Sequence, residues 1–177
     1  MRVTTSIIIS IAFASLVVTG CKSNRDATTT SSNDSESVQP IVNSEPQMLA
    51  SIQRTACYGQ CPMYKATFMD NGEVIYIGKR FVENIGTYRT LISAEEVLDI
   101  KKKITEYDYF GLDSLYPTPI TDFPSCITEA SLNGNTKKVI NKRNPPDNLR
   151  AFEKFLDSLL VDRQLEKVSD ETNYPNR

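Results

Sequence analysis

The sequence predicts an α+β fold: a two-layer sandwich whose antiparallel sheet, ordered ββββ-α-ββ-α along the chain, carries two helices on one face. Three observations point to it. Short runs of alternating apolar and polar residues recur, and two of them are broken by Asn-Gly, at Asn71-Gly72 and Asn133-Gly134. That dipeptide between alternating runs is the strongest local hairpin signal. Two longer stretches, within residues 93–107 and 144–160, instead repeat apolar side chains at helical spacing. Consecutive hairpins with helices set apart from them make an α+β domain.

Residues 48–55 alternate loosely and form the first strand. Pro62 suits the first position of the second strand, where its missing N–H does little harm, and residues 63–69 alternate after it. A two-residue turn at Asn71-Gly72 pairs Phe68 with Ile75 and Ala66 with Ile77. Tyr64, Ala66, Phe68, Ile75 and Ile77 then share a core face, while Met63, Lys65, Thr67, Met69, Val74 and Tyr76 share a partly wet one. A fourth strand over residues 86–92 follows a loop near 81–85.

Ser93 and Glu96 form a capping box that opens the first helix. Val97, Ile100, Ile104 and Tyr107 recur along it, and it fades near 108–111. The run Lys101-Lys102-Lys103 is a solvated helix face. Residues 112–124 contain three prolines and read as a long loop. The second hairpin joins 125–132 to 135–142 and sets Thr128 opposite Val139 and Glu129 opposite Lys138. Cys126, Thr128, Ala130, Leu132 and Val139 therefore face inward. Asn144 serves as N-cap of the second helix, with Pro145 in its first turn. Leu149, Phe152, Phe155, Leu156, Leu159 and Leu160 give it a broad apolar stripe. From Arg163 onward the tail is polar and is expected to fray.

Ahead of this domain lies a different kind of sequence. Arg2 is followed by an apolar run over residues 7–18, a length that suits a signal peptide better than a bilayer span of ~20 residues. Val18-Thr19-Gly20-Cys21 comes next and resembles the lipobox of bacterial lipoproteins. The resemblance implies cleavage before Cys21, diacylglycerol on its sulfur and a further acyl chain, such as palmitate, on the new amine. Several acyl chains anchor a protein that one chain would hold only marginally. Lys22, rather than an acidic residue, follows the cysteine and leans towards the outer membrane. Residues 22–47 are rich in Ser, Thr and Asn and cannot bury enough apolar surface to offset their ordering entropy. As a flexible tether they would reach roughly 28 Å. The expected organisation is thus a lipoprotein signal peptide over 1–20, a lipidated cysteine and tether over 21–47, one α+β domain over 48–162 and a polar tail over 163–177. The expected location is the bacterial cell envelope, anchored in the membrane through lipid on Cys21 and facing the periplasm or the surface.

Composition excludes several function classes. The chain has no histidine, which removes imidazole acid–base catalysis, Ser-His and Cys-His nucleophile pairs, and zinc sites that need His. A formal net charge of −2 offers no basic field to hold phosphate backbones, so nucleic acid is not an expected partner. No phosphate-binding glycine loop, nucleophile elbow or cofactor motif occurs. The expectation is a protein without catalytic residues, cofactor or assigned metal.

Chemistry concentrates at one corner. Arg54-Thr55-Ala56-Cys57-Tyr58-Gly59-Gln60-Cys61-Pro62-Met63-Tyr64 joins the first two strands. The pattern Arg-Thr-x-Cys-Tyr-Gly-x-Cys-Pro-x-Tyr resembles a family of envelope lipoproteins known only as a domain of unknown function. Asp70-Asn71-Gly72 and the strand end Tyr76-x-Gly78 belong to the same pattern, and the likeness extends more loosely through Gly86, the Ser93 helix, Thr121-Asp122-x-Pro124 and the last helix. It implies no activity. Cys57 and Cys61 flank a chain reversal that brings their Cα atoms within disulfide range, in an oxidising compartment. A structural disulfide is the leading expectation, with Cys126 pairing to one of them as an alternative. A different class of reading is a thiol-redox or soft-metal protein using Cys57, Cys61 and Cys126, since thiolates suit Cu(I) or zinc. Arg54, Tyr58 and Tyr64 form a candidate rim for an unknown protein or envelope partner, against the plainer role of packing around the corner.

Overall fold

A computed structural model describes residues 45–120 and 122–172. The signal peptide, Cys21, nearly all of the tether, Thr121 and the last five residues lie outside the described residues. Strands β1 (Met48–Arg54), β2 (Met63–Met69), β3 (Glu73–Arg80) and β4 (Gly86–Leu91) come first, followed by helix α1 (Ala94–Glu106). A short 3-10 turn at Tyr109–Gly111 leads to β5 (Leu115–Tyr116), β6 (Cys126–Leu132), β7 (Asn135–Asn141), α2 (Asp147–Ser158) and β8 (Glu166–Ser169). The strands form one open sheet in the order β5-β7-β6-β1-β2-β3-β4-β8. Among the described residues only the short β5–β7 pairing is parallel; the others are antiparallel. The class is α+β.

Residues paired across antiparallel strands share a face. Ile52 lies opposite Ala66 and Thr128, and Phe68 opposite Val74. This face joins Val97, Ile100 and Ile104 of α1 and Leu149, Phe152 and Leu156 of α2 in one buried cluster. Each such side chain, fully buried, stabilises the fold by about 1.5–3 kcal/mol before entropy is counted. Both helices contact β1, the strand at the middle of the sheet. Tyr109, fully buried, satisfies its hydroxyl by donating to Thr128 Oγ1 at 2.8 Å. α1 opens on the expected capping box: Ser93 Oγ accepts from the Glu96 N–H at 3.2 Å, and Glu96 Oε2 accepts from the Ser93 N–H at 2.8 Å.

The two Asn-Gly turns differ. At the second, Asn133 (φ 52°) and Gly134 (φ 79°) are both left-handed, as a type I′ turn requires. Thr128 pairs with Val139 and Glu129 with Lys138 in the expected register. At the first, Gly72 (φ 88°) is left-handed while Asn71 is not. Phe68 pairs with Val74 and Ala66 with Tyr76, one residue away from the two-residue-turn expectation. Val74 and Tyr76 therefore face the core, and Ile75 and Ile77 take the opposite face. The loop is three residues long: the Gly72 N–H donates to the Met69 carbonyl at 3.1 Å, and Asn71 Oδ1 accepts from the Glu73 N–H at 3.0 Å. Gly72 also receives the start of α1, accepting from the Ile92 N–H at 2.9 Å. A Cβ there would lie 2.8 Å from the Ile92 carbonyl oxygen. That close approach needs glycine in the bulge position of the longer loop.

Three further expectations are corrected. The polar tail does not fray from Arg163: β8 pairs with β4, setting Glu166 opposite Arg89 and Lys167 opposite Tyr88. It is a short, charged edge strand, whose polarity suits an edge exposed to water. The fold thus continues past residue 162. The proline-rich loop contains β5, held by the Ile140 N–H to the Ser114 carbonyl at 2.9 Å and the Lys142 N–H to Tyr116 at 3.0 Å. Asn144 does not cap α2. It sits at φ 50°, and Pro146 is the N-cap, without a side-chain hydrogen bond. Two consecutive prolines favour extended backbone at Pro145 and delay the helix until Asp147.

Candidate functional site

Sheet register builds the site. Asn141 lies opposite Cys126, Cys126 opposite Arg54, and Arg54 opposite Tyr64. These four side chains form a row across β7, β6, β1 and β2, spanning roughly 14 Å at the usual strand spacing. Against it α2 presents Glu153 and Asp157, which share a side because they are four residues apart. Arg54 Nη2 donates to Asp157 Oδ2 at 2.5 Å, and the Tyr64 hydroxyl donates to Asp157 Oδ1. Arg54 Nη1 lies 3.9 Å from Glu153 Oε2, while Asn141 Nδ2 donates to Glu153 Oε1 at 2.7 Å. Six residues from five elements thus form one polar network at the edge of the core.

Its electrostatics follow from burial. Burial and the neighbouring Asp157 carboxylate push the Tyr64 phenol well above its ordinary range, so it stays a donor. Burial alone would loosen the Arg54 proton, but the Asp157 carboxylate it hydrogen-bonds outweighs that and the guanidinium stays charged. Burial, then the nearby Glu153 charge, raises the Cys126 thiol far above the usual value. Burial also raises Glu153, against the opposing effects of Asn141 and Arg54. Cys126 is a buried free cysteine, so it does not pair with the corner sulfurs.

The corner itself is closed by a Cys57–Cys61 disulfide with a Cα–Cα distance of 5.7 Å. Thr55 fastens it to the start of β6. Its N–H donates to the Ser125 carbonyl at 3.0 Å, and its Oγ1 accepts from the Ser125 N–H at 2.7 Å. Of the expected rim, Arg54 and Tyr64 come together on Asp157. Tyr58 stands apart at the tip, 97% exposed.

Between the corner, the loop before β6, the chain leaving β7 and the end of α2 lies a cleft of about 530 Å³. Arg54, Thr55, Cys61, Pro62 and Tyr64 form one wall; Phe123, Pro124, Ser125 and Cys126 form another. Asn141, Lys142, Arg143 and Pro145 face them, with Asp157 from α2. Asp157 is committed to Arg54 and Tyr64. Lys142 and Arg143 have no carboxylate partner among the described residues, although the Arg143 guanidinium lies 5.9 Å from the Phe123 ring centre. Among the described residues no group of three or more Cys, Asp or Glu is arranged to hold a metal ion.

Sequence reasoning did not identify Asp157, Glu153, Phe123, Lys142 or Arg143 as parts of a site. One signal was present: Glu153 falls inside the apolar stripe of α2, between Phe152 and Leu156, with Asp157 four residues on. An acid buried on such a stripe needs a polar partner. No curated protein matches the chain. The model of one protein family covers residues 49–160, from the second residue of β1 to just past α2. On that match the chain belongs to the family described as a domain of unknown function, DUF6438.

Proposed function

We propose that this chain is a lipid-anchored, non-catalytic binding module of the bacterial cell envelope. Lipid on Cys21 holds it to the membrane, the outer membrane being favoured by Lys22. The Ser/Thr-rich segment lets the domain stand off from the bilayer, and the cleft beside the disulfide engages its ligand or partner. One observation carries the reading: Arg54, Thr55, Cys61, Pro62 and Tyr64, five residues of the cysteine-corner motif, wall the same cleft. A non-catalytic role is supported by the chemistry of those walls. The carboxylate there is spent on an ion pair, and the buried sulfur of Cys126 is held as an unreactive thiol.

Two measurements test this. Cells labelled with palmitate should show label and membrane association for the wild-type chain, and neither for Cys21→Ser. A photo-crosslinking residue at Phe123 should form adducts in intact cells, while one at exposed Lys102 on α1 should not. Equal yields from both positions would remove the cleft from the reading.

The thiol-redox or soft-metal reading keeps one supporting observation: Cys61 and Cys126 border the same cleft. Thiol counting separates it from the binding module, because a redox or metal role requires the Cys57–Cys61 pair to cycle readily or the purified chain to carry metal in stoichiometric amount.

A further inference from the structure

We propose that the cleft takes an organic anion, a carboxylate carried on a ring-sized apolar body, with Lys142 and Arg143 meeting the charge and Phe123 and the prolines meeting the body. This rests on the reading of the cleft as a binding site and names the ligand class for it.

Charge is the first argument. The chain as a whole carries a slight acidic excess, yet among the described residues the cleft walls hold Arg54, Lys142 and Arg143 against a lone carboxylate, Asp157. Arg54 and Tyr64 already occupy both oxygens of Asp157. Lys142 and Arg143 are left as neighbouring cations with no opposing acid among the described residues. Their backbone is held in place: the Lys142 N–H bonds to Tyr116 at 3.0 Å, and Pro145 and Pro146 stiffen the chain that follows. Backbone held in this way sets both cations beside the cleft, so engaging an anion orders side chains but not the main chain that carries them.

Shape and apolar surface give the second argument. A volume of about 530 Å³ falls in the usual range for small-molecule sites, on the order of 300–1,000 Å³. Phe123 leaves 37% of its surface in water, and Pro62, Pro124 and Pro145 line the same cleft. Proline and phenylalanine offer contact area with few torsions to freeze. The Ser125 main chain is already tied to Thr55, whereas its hydroxyl has no partner among the described residues and is free to donate to a ligand oxygen. A cation pair, a hydroxyl and an aromatic ring within one small cleft match a carboxylate on a ring. The same chemistry is offered by a free aryl acid or by a peptide chain end bearing phenylalanine.

The test uses the full-length chain purified from membranes in neutral detergent, with phenylacetate, its uncharged amide phenylacetamide, N-acetyl-Gly-Gly-Phe and inorganic phosphate as probes. Equilibrium dialysis is expected to show phenylacetate binding about tenfold or more tighter than the amide, the difference expected for a charge-assisted contact. Binding should weaken as salt is raised. Lys142→Ala and Arg143→Ala should each weaken it several-fold, and Lys102→Ala should not. Tighter binding of N-acetyl-Gly-Gly-Phe than of phenylacetate assigns the anion to a chain end, and the reverse to a free acid; both support the ligand class. Equal binding of acid and amide, with both lost in Phe123→Ala, overturns the anion assignment and leaves the cleft as a binding site. Phosphate competing as well as phenylacetate overturns the role of the apolar body. Absence of binding by every probe overturns the assignment, and the crosslinking comparison at Phe123 then decides the cleft separately. Salt dependence on the unaltered chain keeps the assignment falsifiable should either variant fail to fold.

Discussion

Arg54 and Asp157, 103 positions apart in the chain, meet in a hydrogen-bonded ion pair 2.5 Å long that ties the end of β1 to the last turn of α2. Tyr64, on the neighbouring strand, donates to the other oxygen of the same carboxylate. One helical side chain therefore holds two strands, and its loss should be felt by both.

Asp157→Ala is expected to destabilise the domain by about 1–3 kcal/mol, because Arg54 is left partly desolvated without its partner. Both side chains keep about a third of their surface exposed, so solvent screening favours the lower end of that range. Tyr64→Phe should cost about 1.5–3 kcal/mol, the usual range for a hydrogen bond to a charged group, again towards the lower end because the carboxylate is partly exposed. Urea unfolding of the Arg54→Ala and Asp157→Ala single and double variants checks this. Simple additivity would show that the two residues do not interact.

Glu153 gives a pH dependence of known sign. Its folded-state pKa is raised, chiefly by burial, so the folded chain binds its proton more tightly than the unfolded chain. Its contribution is therefore most favourable below the ordinary carboxylate range and is lost as pH rises through the higher folded value. The groups facing it are Arg54, Asn141, Cys126 and Asp157. Glu153→Gln keeps an oxygen for Asn141 and removes the titration. Stability against pH should be flatter for this variant between mildly acidic and neutral conditions, as read from urea midpoints. Unchanged curves would exclude Glu153 as the titrating group.

At alkaline pH the tyrosines dominate. Burial pushes Tyr76 up to about 12, and burial raises Tyr64 and Tyr109 further. An unfolded phenol ionises near ~10, so these groups stabilise the fold fully below that value and lose the contribution as pH climbs towards their folded values. The domain should lose stability steeply in that window, and Tyr76→Phe should soften the loss. Ultraviolet titration of the tyrosinate band alongside denaturant melts measures both.

The thiols should separate into two kinds. Cys126 is buried and its pKa is raised, so a thiol reagent should fail to modify it until the domain unfolds. Cys57 and Cys61 should react only after reduction. Replacing both with Ala should cost about 2 kcal/mol on the loop-entropy view of so short a loop. Fast reaction of Cys126 in the folded chain would contradict its placement.

Much of the fold was legible because its signals are local. The Ser93–Glu96 capping box closes within four residues and forms as the sequence implies. Asn133-Gly134 sets the β6–β7 register because both residues take the left-handed backbone of a two-residue turn. Asn71-Gly72 misleads for a reason found 20 positions later: Gly72 must also receive Ile92, and the loop lengthens to three residues. β8 carries no apolar alternation, since an edge strand with wet faces needs only backbone partners from β4. The Cys57–Cys61 pairing was legible at four residues' separation. The cleft was not, because Phe123, Arg143 and Asp157 come from separate segments.

By itself the sequence determined the class of fold, the strands and helices with strong periodicity, the closed cysteine corner and the lack of imidazole chemistry. The last is a count over the whole chain, and the others rest on preferences expressed within a few neighbouring residues. Only the tertiary structure decided that Asn141, Cys126, Arg54 and Tyr64 stand in one row beneath Glu153 and Asp157. Such a row depends on the summed register of four strands and on the placement of a helix across them. No local preference encodes that sum: a slip of one residue in any strand turns its side chain to the other face.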